Sequence, residues 1–338
     1  MSANPVVEQT PVKTTSSNRN KIDVRLQAVT YLAEDICSFE FVDPDGNSLP
    51  AFTAGAHIDV HLPDGLIRQY SLYNSPAETH RYAVAVLRDV NGRGGSMAMH
   101  DRLRVGDRVT LSLPRNQFAL SEQATRHILL AGGIGITPLM AMIEALQADG
   151  KDFHLYYCTR SPQRTAFLAN LQPLIERGQV TIHHDQGKPE NALDLNRILA
   201  DCPPDTHLYY CGPGGFLDAV ERAAAAWPAK HLHCERFSAP AADPEAAPAA
   251  LETPFEVRLA LSDLQFTVPP GRSVVDVLAD NGIEVDVSCK EGYCGTCMTR
   301  YLDGQPEHRD TVLDDEDRQA FVMICCCRAK TDCLVLDL

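Results

Sequence analysis

The sequence predicts a multidomain chain of α/β and β class: an antiparallel barrel, a parallel sheet with helices on both faces, and a small sheet carrying one helix. Three observations predict it. Short alternating apolar runs give way, part-way along, to strands alternating with helical patterns. A Pro/Ala-rich stretch, 238–250, breaks the chain near its last quarter. Beyond it, Cys289, Cys294, Cys297 and Cys325 stand at a spacing that ordinary core packing does not require.

Residues 1–20 are polar and aperiodic and read as a disordered tail. The barrel is expected over 21–122. His57 to Leu62 alternates, Pro63-Asp64-Gly65 turns, and Ile67 to Tyr73 returns; Arg81 to Arg88 and Arg108 to Leu113 supply further strands. The α/β module is expected over 123–237. Its strands are His127 to Ala131, Phe153 to Cys158, Val180 to His184 and His207 to Cys211. Its helices are Pro138 to Gln147, Thr165 to Arg177 and one from Gly215. A linker, 238–251, leads to the last module, 252–338. Strands are expected there at Phe255 to Leu261, Gln265 to Val268, Met298 to Leu302 and Cys333 to Leu338, with a helix at Ser273 to Asn281.

Composition narrows the function. The 338 residues are 44% hydrophobic and 22% charged, as in soluble globular proteins, and no apolar run reaches the ~18 residues that span a bilayer. A net charge of −15 argues against nucleic acid. Residues 255–338 hold sixteen Asp/Glu against eight Lys/Arg, an excess that suits docking to a basic partner or simple solvation. The chain shows no apolar N-terminal signal segment, so its other eight cysteines read as small buried hydrophobes in a reducing, cytoplasmic setting.

The run from Cys289 to Cys297 has the C-x4-C-x2-C spacing of plant-type [2Fe–2S] centres, with the fourth thiol supplied from far along the chain. Zinc sites usually pair two ligands on each of two knuckles instead. Spacing leaves Cys325, Cys326 and Cys327 all open as the fourth ligand. Gly132-Gly-Ile-Gly-Ile-Thr-Pro138 lies between strand and helix, and Cys211-Gly-Pro-Gly-Gly-Phe216 ends another parallel strand. Both turns suit pyrophosphate, and both also suit close strand–helix packing. Arg68-Gln-Tyr-Ser71, with Gly92-Arg-Gly-Gly-Ser96 before a short helical stretch, suits a phosphate monoester and a planar ring. His183-His184-Asp185 is rejected as a metal site, because adjacent strand residues face opposite ways.

These motifs, with Cys158-Thr-Arg160, Glu235-Arg-Phe237 and the tail Ile324-Cys-Cys-Cys-Arg328, resemble the phthalate dioxygenase reductase and vanillate demethylase reductase family over nearly the whole chain. The resemblance implies an antiparallel flavin-binding barrel, a Rossmann-like nicotinamide domain and a β-grasp plant-type ferredoxin domain. It implies an NADH-dependent reductase for a terminal Rieske non-haem iron oxygenase, acting as a monomer. Arg68, Tyr70 and Ser71 would hold the flavin, Gly94, Gly95 and Ser96 its phosphate, and Val86, Leu87 and Arg88 the ring edge. Thr137 and Phe237 would reach the ring from the second domain. Gly133, Gly135, Thr159, Arg160, Cys211, Gly212 and Pro213 would bind the dinucleotide, with Ser71, Cys211 and Phe237 as catalytic residues. The resemblance favours FMN over FAD and selects Cys325 as fourth cluster ligand, although Cys327 stands where the family has serine. Arg160 keeps NADPH open beside NADH. A stand-alone NAD(P)H:acceptor oxidoreductase and an iron–sulfur redox sensor remain the other readings.

Overall fold

In the barrel, six strands run antiparallel: β1 (Lys21–Ala33), β2 (Ile36–Val42), β3 (His57–His61), β4 (Ile67–Ser71), β5 (Tyr82–Leu87) and, after helix α1 (Gly95–Arg102), β6 (Arg108–Ser112). The computed structural model describes residues 21–238 and 252–338. The expected tail and nearly all of the linker lie outside them. The strand order is β4-β3-β6-β1-β2-β5, and a bridge between Leu72 and Val84 brings the two edges together. Val24, Leu26, Phe39, Phe41, Ile58, Val60 and Leu111 fill the interior, as alternation places every second side chain inward. Strands β1 and β2 had no counterpart in the sequence reading. β1 inverts its alternation at irregularities between Leu26 and Ala28 and between Tyr31 and Ala33, which blurs the period of two.

The second layer is a wholly parallel sheet, ordered β11-β10-β7-β8-β9. It comprises β7 (Arg126–Gly132), α2 (Ile136–Ala148), β8 (Asp152–Thr159), α3 (Leu168–Glu176), β9 (Val180–His184), α4 (Leu195–Ile198), β10 (Thr206–Cys211), α5 (Gly214–Ala223) and β11 (Leu232–Glu235). Helix α3 starts three residues later than periodicity suggests. Phe167 sits in the left-handed region at φ 62°, and Thr165 spends its hydroxyl on Thr159, Ser161 and His184. One buried core joins this sheet to the barrel: Ala33, Ile36, Ala54, Ala85 and Phe118 pack with Leu129, Ile136, Leu139 and Tyr209.

The third module has β12 (Phe255–Leu259), β13 (Leu264–Val268), α6 (Val274–Asp280), β14 (Met298–Asp303), β15 (Pro306–Glu307), β16 (Phe321–Met323), β17 (Arg328–Ala329) and β18 (Cys333–Leu336). Its main sheet is ordered β13-β12-β18-β14-β16, with β18 parallel to β12. Ser273 caps α6 by accepting from the Asp276 amide. Arg328 is 4% exposed and donates to the carbonyls of Thr253, Val268, Pro269 and Arg272 while lying over the Phe255 ring. That anchor fixes the strand that follows the three adjacent cysteines.

Candidate active site

All three modules contribute walls to one cavity of about 550 Å³. From the barrel come Arg68, Tyr70, Ser71, Val86 and Leu87, and from the first turn of α1, Gly95 and Ser96. Thr137 and Phe237 arrive from the parallel module, and Ser288 and Cys289 from the cluster loop. The volume lies in the range of small-molecule sites, and the apolar strands face a polar end made by Arg68 and the start of α1.

The polar end is organised by backbone contacts. Arg68 Nη1 donates to the Ile67 carbonyl and Nη2 to the Arg93 carbonyl, each at 2.7 Å, while its stem lies against Gly95. Helix α1 carries no acidic residue in its first turn, which keeps its positive end open to an anion. The Ser96 hydroxyl is engaged with the Asp89 backbone at 3.1 Å. Burial raises the Tyr70 phenol well above its usual range, so it stays neutral. Arg88 turns aside to Asp101 at 3.0 Å.

Glu235, to which the sequence reading gave no role, lies at the other end. Its side chain is 10% exposed, and the Ser71 hydroxyl donates to its Oε2 at 3.2 Å. Burial pushes the carboxyl up to about 8, with the Ser71 hydrogen bond pulling the other way. Burial, and then the charge of Arg115, depress His57 to about 3. The two groups, 3.9 Å apart, are therefore both uncharged near neutrality rather than an ion pair. The motif Glu235-Arg-Phe237 marked this segment, but only the tertiary fold sets Glu235 against Ser71.

The glycine turns behave differently from one another. A Cβ on Gly135 would stand 2.2 Å from the Cys211 carbonyl oxygen, so the two turns pack back to back. Gly133, at φ 54°, has nothing within 4 Å of that position and faces open space. Cys211 is fully buried at the end of β10, with its thiol raised chiefly by that burial. Thr159 and Arg160 lie at the end of β8, and Gly212 and Pro213 lead into α5, so both segments meet the carboxyl edge of the sheet. His183 and His184 find separate partners, the Asn191 carbonyl and Thr165.

In the cluster loop the thiols fall into pairs. Cys289 meets Cys294, and Cys297 meets Cys325; all four are at most 6% exposed. The hydrogen bond to Cys325 and burial raise the Cys297 thiol far above its usual value. Among the described residues no three His, Cys, Asp or Glu groups converge on a single ion position. Two pairs of sulfurs instead fit a centre with two irons. Gly292, at φ 75°, admits the Cys326 sulfur, which would lie 2.5 Å from a Cβ there. Cys326 thus packs behind the loop, and Cys327 is 2% exposed in the module's own core.

Residues 257–330 match the 2Fe-2S iron-sulfur cluster binding domain, and residues 109–233 match the N-terminal domain of dimethylamine monooxygenase subunit DmmA-like proteins. The chain is 46% identical to a vanillate O-demethylase oxidoreductase of Pseudomonas sp., covering 94% of this chain and 100% of that one. It is 43% identical to the phthalate dioxygenase reductase of Burkholderia cepacia, covering 96% and 100%. The chain belongs to the phthalate dioxygenase reductase and vanillate demethylase reductase family. A solved phthalate dioxygenase reductase, described as a modular structure for electron transfer from pyridine nucleotides to [2Fe-2S], superposes with a TM-score of 0.70 at 43% identity, over 94% of this chain and 98% of its own. The expected fold class and the assignment as an oxidoreductase are borne out by these matches. No described helix is long and apolar enough to cross a membrane.

Proposed function

We propose that this member of the family is the cytoplasmic, monomeric NADH-dependent reductase of a Rieske non-haem iron oxygenase system, working with FMN and a [2Fe–2S] cluster. The observation that carries the reading is the cavity wall: Cys289, a cluster-loop thiol, closes the same space that Arg68, Tyr70, Ser71 and Thr137 line. When bound, a flavin supplies the conversion between two-electron hydride chemistry and single-electron transfer.

The chain's own residues arrange that conversion. Arg68 and the α1 N-terminus would hold the phosphate, while Tyr70, Val86 and Leu87 would clamp the ring. Ser71 and the protonated Glu235 would offer hydrogen bonds at the ring's far side, where a proton can be held at the carboxyl. Phe237, 38% exposed, lines the cavity and would cover the ring until nicotinamide displaces it. Gly133 and the ends of β8 and β10 would receive the dinucleotide. Cys289, Cys294, Cys297 and Cys325 would hold the cluster. Anaerobic rapid mixing with NADH tests the reading: flavin absorbance should bleach first in time and the iron–sulfur absorbance second. Reconstituted protein without either chromophore would overturn it. Reconstitution with candidate oxygenases then identifies the terminal acceptor.

A further inference from the structure

Two arginines of the barrel reach across to the cluster loop. Arg93 Nη1 donates to the Cys289 carbonyl at 3.1 Å and to Glu291 Oε1 at 2.8 Å, and Nη2 donates to the Tyr293 hydroxyl at 2.8 Å. The Arg93 carbonyl in turn accepts from Arg68, so one short loop touches the polar end of the cavity by its backbone and the cluster loop by its side chain. From another side Arg115, held by the buried Asp59 at 2.5 Å, donates to Thr296 Oγ1 at 3.1 Å. That hydroxyl accepts from the Cys294 thiol at 3.2 Å.

We propose that Arg93 is a positioning residue that clasps the cluster loop to the flavin cavity and couples phosphate binding to docking of the third module. The inference rests on the reductase reading. The Arg93–Glu291 pair is half exposed, at 47% and 40%, so it adds little to overall stability. Its effect is on orientation. Three bonds from one planar guanidinium hold the backbone of Cys289 in register with the cavity, and small misplacements between reacting centres are costly. Arg115 steadies the other end of the same loop. Coupling of this kind is reciprocal: a phosphate that orders the Arg93 loop favours docking, and docking favours the phosphate.

The test uses full-length holoprotein carrying Arg93→Ala, Arg93→Lys, Glu291→Ala or the double alanine change. Ferricyanide reduction by NADH reads the hydride step, and cytochrome c reduction reads passage through the cluster. Hydrogen exchange at residues 289–297, in the holoprotein and in the same protein stripped of FMN, reads docking without turnover. Glu291→Ala should leave ferricyanide reduction unchanged. Arg93→Ala should slow cytochrome c reduction about tenfold and abolish the protection that FMN gives the loop. Arg93→Lys should recover part of both, and the double variant should be no slower than Arg93→Ala. Unchanged cytochrome c reduction and loop exchange in Arg93→Ala, or additive losses in the double variant, would overturn the clasp. Wild-type protein that takes up no flavin or cluster would instead fault the reductase reading.

Discussion

Between the barrel and the parallel sheet the seam is apolar: Ile36, Ala54, Ala85 and Phe118 share a buried core with the sheet and α2, and Tyr73 lies 4.9 Å from the Phe167 ring. Between the barrel and the third module the contacts around the cluster loop are polar, through Arg93 and Arg115, and the described core of that module is made of its own residues. The difference follows the chemistry each seam must serve. Hydride transfer needs the two ring sites held at a fixed spacing through every turnover, which close-packed apolar surfaces between the domains provide. An electron has to leave again toward a partner, and a polar seam can open without exposing a core.

The largest expected effect separates the seams outright. Cys294→Ser should cut cytochrome c reduction at least ~100-fold while ferricyanide reduction stays within about twofold, because only the second seam leads through the cluster. Equal loss of both activities would join the two seams into one path.

Breaking the apolar seam should cost folding itself. Phe118→Ala, at a site 3% exposed and 5.9 Å from the Tyr209 ring, should lower stability by about 3–5 kcal/mol in urea titration. Both activities should fall together. A smaller and sharper probe is the pair of glycines in the turn before α2. Gly135→Ala meets the Cys211 carbonyl and should cost about 1–3 kcal/mol of overpacking. Gly133→Ala has free space and should cost about 1 kcal/mol of left-handed backbone strain, with a raised KM for NADH if this glycine receives the dinucleotide.

The last effect concerns pH. Folded Glu235 keeps its proton to about 8, whereas the unfolded group releases it near 4.5. The folded state therefore binds more protons in that interval, and Glu235's contribution to stability falls as pH rises through it. Flavin affinity should show an alkaline limb above about pH 8, as the cavity-lining Glu235 carboxyl ionises, and Glu235→Gln should flatten that limb and remove the stability slope. A limb that persists in the variant would assign it to another group.

The sequence exposed those parts of the site whose chemistry is local. Cys289, Cys294 and Cys297 fall within nine residues, and thiols at that spacing have few other uses. Glycine turns were ambiguous, because the same residue serves close packing at Gly135 and open space at Gly133. Arg93 and Glu235 lie inside motifs the sequence displays, yet their roles are hidden for a different reason. Each acts on a partner more than a hundred residues away, Glu291 and Ser71, and no local pattern encodes that distance. The barrel's first two strands were hidden by the irregularities that let β1 bend around it.

The parallel pairing of β12 with β18 also has a consequence for how the cluster cradle closes. Strand β12 begins the third module and β18 ends it, with Glu256 set against Cys333. The thiol of Cys325 reaches Cys297 from the segment leading to that last strand, steadied by Arg328. Three of the thiols share one loop, and the fourth is separated from them by β14, β15 and β16. Closing so long a loop is slow compared with forming α6 or the β12–β13 hairpin. The cradle for the cluster is therefore complete only once the module's last strand has paired with its first, and a variant in which β18 cannot pair with β12 leaves Cys325 without the strand that seats it.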